Sequence, residues 1–236
     1  MIITDPSKRP SERLIQIVSG YFLSKGFVYK KSLSQFCRTM DNRKEMVSIF
    51  YNRTGNLVSA TLTWTVLFPS LEKIYKAIDI DMAKKYNEAT LWNDLLNYPA
   101  RRKNNDPSEF DLYDKDSLKY DDFSINTGAI DLIAGYEKYI EPYFAHYSDL
   151  KNLEKDLNEL PLHHHAHIGY SGRQITFGLV LGKTFDAENF NSLVDNYRQY
   201  ILNDTEKIEF KKKMEQSFEN TLRYLKSSDV NKIILS

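Results

Sequence analysis

The fold is decided by the stretch from residue 44 to residue 68, KEMVSIFYNRTGNLVSATLTWTVLF. Polar and apolar residues alternate along its first half, which places Met46, Ser48 and Phe50 on one side of a strand. Its second half is rich in β-branched and aromatic residues, the types that favour strands. Residues 53–56, RTGN, carry turn chemistry between the two halves. The stretch therefore predicts two neighbouring antiparallel strands.

The same two-residue period continues upstream in residues 33–40, LSQFCRTM, where Gln35 and Cys37 share one side of a strand. Before this strand, residues 10–25 repeat apolar positions at three-and-four spacing, which is typical of a helix with one buried face. The N-terminal part of the chain therefore predicts a helix followed by an antiparallel β-meander of three to five strands.

Helical spacing dominates the rest of the chain, with helices predicted over residues 70–78, 127–144, 148–160, 186–202 and 204–228. The second of these should end near Pro142, and the third should begin with Ser148 as its cap. Two short segments, 90–96 and 174–184, fit a helix or a strand, because periodicity does not separate the two in short apolar runs. The predicted fold class is α+β, with the helical C-terminal half packed on the N-terminal helix and meander.

Residues 1–236 are predicted to form a single α+β domain. A subdivision is also open, with a helix-plus-sheet lobe over 1–98 and a helical lobe over 124–236. Residues 99–123 would then be an irregular loop, because they contain two prolines and show no sustained period.

Charge and cysteine content narrow the functional class. The chain has 32 basic and 32 acidic residues, and this formal net charge of zero makes nucleic acid or an anionic membrane a poor partner. Cys37 is the single cysteine, which suits a reducing compartment. No apolar run has the length of a signal peptide or of a membrane span. We therefore expect a cytoplasmic protein.

Four of the five histidines lie within residues 161–170, PLHHHAHIGY. If this segment is extended, His163, His165 and His167 project from one side of a strand, and this would suit zinc or another divalent transition metal. No H-E-x-x-H and no C-x-x-C accompanies them. In the alternative interpretation the histidines cover a loop that follows a leucine-rich helix, and no cofactor is expected.

Other catalytic signals are incomplete. Ser171 lies in GYSGR, which does not complete the G-x-S-x-G of a nucleophile elbow, and no phosphate-binding glycine loop occurs. Cys37 is predicted to be a small buried thiol and not a reactive one. The sequence therefore favours a protein that is not an enzyme.

An acidic, tyrosine-rich segment is the predicted partner-binding surface. Aromatic rings give contact area and carboxylates steer a basic partner protein. The residues expected to make this contact are Phe110, Asp111, Tyr113, Asp114, Asp116 and Tyr120.

The first seventy residues resemble a group of small bacterial domains with a helix and an antiparallel sheet, some of which are immunity-type proteins of toxin systems. The resemblance covers residues 10–70. It is carried by Lys25-Gly26-Phe27 after the helix, by Phe36-Cys37-Arg38 and by Trp64 on a later strand. It implies a helix-plus-sheet fold and no catalytic residues.

These observations predict a non-enzymatic cytoplasmic protein-interaction module of an immunity-like kind, with a protein partner. The alternative is a metal-dependent hydrolase or metal-binding protein that uses the cluster from His163 to His167. The sequence leaves the oligomeric state open.

Overall fold

The computed structural model is α+β, as the sequence predicts: an N-terminal helix, an antiparallel sheet and a helical C-terminal half. The structure describes residues 8–54, 57–79, 89–95, 98–105, 107, 110–114, 122–160, 162–163, 165–168, 171–203 and 208–235. The chain divides into two compact units. The first unit is Met1–Val66 with Asn93–Ala145, and the second is Leu67–Trp92 with His146–Ser236. The single domain over residues 1–236, and the alternative subdivision into two lobes, stay predictions.

The described helices are α1 Pro10–Ser24, α2 Pro69–Ile78, α3 Pro99–Asn104, α4 Asp122–Gly135, α5 Glu141–His146, α6 Leu150–Asn158, α7 Ser171–Phe185, α8 Phe190–Asn203, α9 Ile208–Ser227 and α10 Asn231–Ile234. The strands are β1 Val28–Lys30, β2 Gln35–Thr39, β3 Lys44–Thr54, β4 Leu57–Leu67, β5 Leu91–Asp94 and β6 Phe110–Asp114. None of the described helices is both long and apolar enough to span a membrane.

The sheet has the order β1-β2-β3-β4-β5, and β6 also pairs with β4. Across the first three strands Val28 lies opposite Cys37, and Cys37 lies opposite Met46. Arg43 O accepts a hydrogen bond from Met40 N at 2.8 Å and closes the predicted turn between β2 and β3. Residues 55 and 56 of the other predicted turn lie outside the described residues. This antiparallel pairing confirms the meander prediction, which was possible because the two-residue period is strong within each strand.

Helix α1 packs its apolar face on the inner side of the sheet through a cluster of aromatic rings. Phe22 stacks on Phe36 with ring centroids 4.5 Å apart and meets Phe27 edge to face at 5.7 Å. All three rings are buried. Gly26 ends the helix with φ +83°, a left-handed conformation that glycine adopts without strain.

A buried carboxylate links two arginines in the same unit. Glu45 is fully buried, and it accepts hydrogen bonds from Nε of Arg38 at 2.7 Å and from Nε of Arg43 at 2.8 Å. Arg38 also donates to the backbone oxygen of Lys25 at 2.7 Å, and its guanidinium lies 4.4 Å from the ring centre of Phe27. The network ties β2 and β3 to the end of α1.

The helix predicted to end near Pro142 continues past it to His146, so that prediction is wrong. Between α4 and α5, residues Tyr136–Ile140 form a π-helical turn in which the N–H of Glu141 donates to the oxygen of Tyr136. Proline lacks a backbone N–H and its ring clashes with the carbonyl four residues earlier. The wider π turn just before Pro142 relieves that clash.

The segment predicted as an irregular loop, residues 99–123, contains α3, β6 and the start of α4, so the prediction of irregular structure is wrong for those parts. Strand β6 is positioned by backbone pairing, with a register shift between Val58 and Ser59 of β4. Strand pairing with a distant element has no signature in the local periodicity, which is why the sequence did not reveal it.

In the second unit, α7 is the central helix and contacts α2, α6, α8 and α9. Residues 172–182 are all buried, so the helix is enclosed on all sides. Segment 174–184, which the sequence left as a helix or a strand, lies in helix α7. Segment 90–96, left open in the same way, contains strand β5. The preceding helix, α6, is capped by Asp149, whose Oδ1 accepts from Lys151 N at 2.9 Å, and not by Ser148 as predicted.

Candidate functional site

The histidine segment lies between α6 and α7 and does not form the extended strand that would place three imidazoles on one side. Ile168 N donates to His165 O at 3.0 Å, which closes a turn over residues 165–168. His163 is exposed, whereas His165 is buried. The predicted H-x-H-x-H geometry is therefore absent for these three residues. His164 lies outside the described residues.

The turn is fixed by a side chain from the following helix. Gln174 on α7 accepts a hydrogen bond from His165 N at 2.8 Å and donates to His163 O at 2.7 Å. Trp92 N donates to His167 O at 3.0 Å. These hydrogen bonds pair backbone N–H and C=O groups of the segment, and they hold the segment against α7 and β5.

The structure brings two of the predicted histidines together with residues that the sequence did not single out. The rings of His165 and His167 are 5.0 Å apart, and the ring of Tyr147 lies 6.5 Å from that of His167. Asp156 on α6 accepts from the Tyr147 hydroxyl at 2.9 Å and pairs with Nε2 of His146 at 2.8 Å. The cluster is thus aromatic and imidazole-rich, with the Asp156 carboxylate beside it.

The environment of His167 favours the neutral ring. Burial, and then the neighbouring His165 ring, lower the pKa of His167 from 6.5 to about 4, although Asp156 acts in the opposite direction. A neutral imidazole at pH 7 can accept a proton or donate an electron pair to a metal. Among the described residues, however, no three His, Cys, Asp or Glu side chains converge as metal ligands would. The metal-binding alternative stays a prediction.

The low pKa of His167 predicts acid sensitivity. The unfolded chain binds more protons than the folded chain between pH 6.5 and pH 4. Above pH 6.5 the ring is neutral in both states and adds no penalty, and below pH 6.5 the free energy of unfolding should fall on acidification by at most about 1.4 kcal/mol per pH unit. Urea unfolding across this range measures the slope, which His167→Asn should reduce. Equal slopes in the unchanged chain and in His167→Asn would contradict the prediction.

The two other candidate nucleophiles, Cys37 and Ser171, lie on β2 and at the start of α7. Cys37 lies on β2, and burial raises the pKa of its thiol even though Lys30 and Lys44 act to lower it. A thiol with a raised pKa is a poor nucleophile at neutral pH. Its side chain is only partly buried, so the prediction of a buried thiol was too strong. Ser171 is the first residue of α7.

The predicted partner-binding segment is described only in part. Its backbone from Phe110 to Asp114, which includes Asp111 and Tyr113, forms β6. Asp116 and Tyr120 lie outside the described residues. The role of these six residues in partner binding stays a prediction.

A surface that the sequence analysis did not single out lies on the first unit, on the side of the sheet opposite α1. We call it the outer sheet face, and it consists of Val28, Lys30, Gln35, Cys37, Thr39, Lys44, Met46, Ser48 and Phe50. Val28 is 59% exposed and Phe50 is 56% exposed, while Cys37 and Met46 are partly exposed. The alternation of strand residues had grouped Met46, Ser48 and Phe50, but it did not say which side would pack on the helix.

Comparison with protein-family models, with curated proteins and with solved structures finds no match. The function therefore has to be argued from the geometry of the chain itself.

Proposed function

We propose that this chain is a non-enzymatic protein-interaction module whose outer sheet face binds an acidic protein partner. The observation that carries the proposal is the exposure of Val28 and Phe50, at 59% and 56%, on a face whose other apolar members are Cys37 and Met46. Clustered exposed apolar residues mark interaction sites on soluble proteins. Aromatic and methionine side chains such as Phe50 and Met46 are enriched in protein interfaces.

The charge of the outer sheet face supports an acidic partner. Its nine residues include Lys30 and Lys44 and no aspartate or glutamate. Both lysines are exposed, and both act on the Cys37 thiol, which places their charge across the same surface. Lysines set among apolar side chains steer a negatively charged partner surface into register.

The resemblance of residues 10–70 to immunity-type proteins supports a more specific version of this proposal. In that version the partner is a toxin of a bacterial toxin system, and the two proteins meet in the cytoplasm. The single cysteine suits such a compartment. The open reading frames next to the gene for this chain would identify the candidate toxin. In the same version of the proposal, the segment from Phe110 to Phe123 is a second contact, which binds basic groups of the same partner.

The proposal predicts that Phe50→Asp weakens partner binding at least about tenfold, because a well-packed aromatic contact residue of an interface is worth more than 1.4 kcal/mol. Ile130→Asp is the matched control: Ile130 lies on α4 of the same unit and is 66% exposed. The chain is immobilised, proteins captured from native extract are identified by mass spectrometry, and the purified partner is titrated calorimetrically. Lys30→Glu with Lys44→Glu should slow association and weaken its salt dependence.

Two results would overturn the proposal. One is a partner that Phe50→Asp binds as tightly as the unchanged chain, since the outer sheet face would then not be the contact. The other is a dimer in light scattering that Phe50→Asp converts to monomer, because the occupant would then be a second copy of this chain.

A further inference from the structure

A groove of about 480 Å³ opens in the first unit between the first turn of α1 and the inner side of β1 and β3. Its volume falls in the usual range for small-molecule sites, roughly 300 to 1,000 Å³. Tyr29 and Ile49, which line it, belong to the side of the strands that faces α1, since Tyr29 pairs with the buried Phe36. The groove is therefore separate from the outer sheet face.

The charges that line the groove are mainly positive. Lys8, Arg9 and Lys31 contribute cations, and Glu12 is the carboxylate among the lining residues. That carboxylate accepts a hydrogen bond from the backbone N–H of Arg9 at 3.2 Å, so it is engaged in capping α1. The N-terminus of this 15-residue helix adds partial positive charge. The side-chain charges sum to about +2, which matches the roughly −1.5 to −2 of a phosphomonoester at neutral pH.

The rest of the lining suits a flat apolar body. The rings of Tyr29 and Tyr51 and the side chains of Ile15 and Ile49 lie along the groove. Tyr51 is held at the start of the helix, because its hydroxyl donates to Ser11 O at 3.3 Å. Tyrosine rings offer stacking area at low cost in conformational entropy. The groove thus combines a cationic end with an aromatic wall.

We propose that this groove binds a small phosphomonoester that carries a planar ring. The phosphate lies among Lys8, Arg9 and Lys31, and the ring lies against Tyr29 and Tyr51. The site does not depend on the outer sheet face, because Lys31 lies beyond β1 at the groove whereas Lys30 belongs to the outer sheet face.

Phenyl phosphate is the probe, and isothermal titration calorimetry is the measurement. Phenyl phosphate should bind at submillimolar concentration, at least about tenfold more tightly than inorganic phosphate and than the uncharged benzyl alcohol. Lys31→Glu should weaken binding of phenyl phosphate at least about tenfold, because it replaces attraction for the phosphate with repulsion. Lys30→Glu is the matched control and should change the affinity by less than about twofold. Both lysines are exposed, so both variants should fold.

Three outcomes would overturn the assignment. Equal affinities for phenyl phosphate and inorganic phosphate would show that the tyrosine rings do not bind the phenyl ring. An unchanged affinity in Lys31→Glu would show that the phosphate does not bind at the cationic end of this groove. No binding of phenyl phosphate at millimolar concentration would show that the groove is not a phosphomonoester site. None of these results bears on capture of a protein partner by the outer sheet face.

Discussion

Gly178→Ala should destabilise the chain by about 3 kcal/mol, because α7 has no room for a methyl group at this position. A Cβ on Gly178 would collide with the hydroxyl oxygen of Tyr197 and would lie 2.8 Å from Oδ1 of Asn158. Tyr197 is fully buried on α8, and Asn158 ends α6. Tyr197 cannot move into solvent without opening the contact between α8 and α7.

The collision also breaks hydrogen bonds. Asn158 donates to the backbone oxygen of Gly178 at 3.1 Å, and the Tyr197 hydroxyl donates to Oδ1 of Asn158 at 2.9 Å. Overpacking costs roughly 1 to 3 kcal/mol, and a buried polar group left without its bond costs roughly 1 to 3 kcal/mol. Alanine returns about 1 kcal/mol through its helix propensity. The unfavourable contributions therefore dominate.

Gly20→Ala is the matched control, since Gly20 lies inside α1 and a Cβ there would meet nothing within 4 Å. The same chemical change should stabilise the chain by about 0.5 to 1 kcal/mol at this position. Urea unfolding followed by circular dichroism compares the two variants. Adding Tyr197→Phe to Gly178→Ala should cost less than the sum of the two single changes, because it removes the colliding oxygen. A stabilising Gly178→Ala would contradict the packing argument.

The parts of the fold that the sequence predicted correctly are those with strong local periodicity. Helix α1 and strands β2 to β4 follow from the spacing of apolar residues within each segment. Helix α7 was ambiguous because it is enclosed on all sides, and a helix without a polar face loses its period of 3.6. The π turn before Pro142 was missed because a proline usually ends or kinks a helix, whereas here a wider turn before the proline lets the helix continue.

The candidate site was less accessible to sequence analysis for a similar reason. The histidine spacing predicted one face of a strand only if the segment was extended, and the turn at residues 165–168 depends on Gln174, which lies on the next helix. Asp156 and Tyr147 join the cluster from α6 and from the residues before it. These partners are separated along the chain and carry no common motif. The alternation of residues predicted which side chains share one side of a strand. It did not predict that this side is exposed, because exposure depends on where α1 packs.

The residues that carry the resemblance to immunity-type domains are structural in this chain. Arg38 links the fully buried Glu45 to the backbone of Lys25, and it covers the ring of Phe27. Phe36 stacks on Phe22 in the same core. A resemblance that rests on such residues reports how a helix closes on a sheet, and it does not indicate which surface would bind a partner. This explains why the proposed binding surface had to come from exposure and charge.

Glu45→Gln should strongly destabilise the chain, with an expected loss of about 3 to 5 kcal/mol. The amide keeps the shape of the side chain, but it cannot neutralise Arg38 and Arg43, whose side chains are only 20% and 10% exposed. Two cations would then share a poorly solvated space with an amide nitrogen that has no acceptor facing it. The loss should appear as a lower urea midpoint with an unchanged dependence on denaturant.

Glu141→Gln is the matched control, because it is the same substitution in the same unit. Glu141 pairs with Lys25 at 2.8 Å, but the two side chains are 39% and 31% exposed. Water screens this pair, so its loss should cost less than about 1 kcal/mol. If the two variants lose the same stability, burial of the Glu45 network contributes nothing beyond a surface ion pair. If only Glu45→Gln causes a large loss of stability, the two arginines depend on this carboxylate. In that case Arg38→Met combined with Glu45→Gln should recover part of the loss, because it removes one of the two unpaired charges.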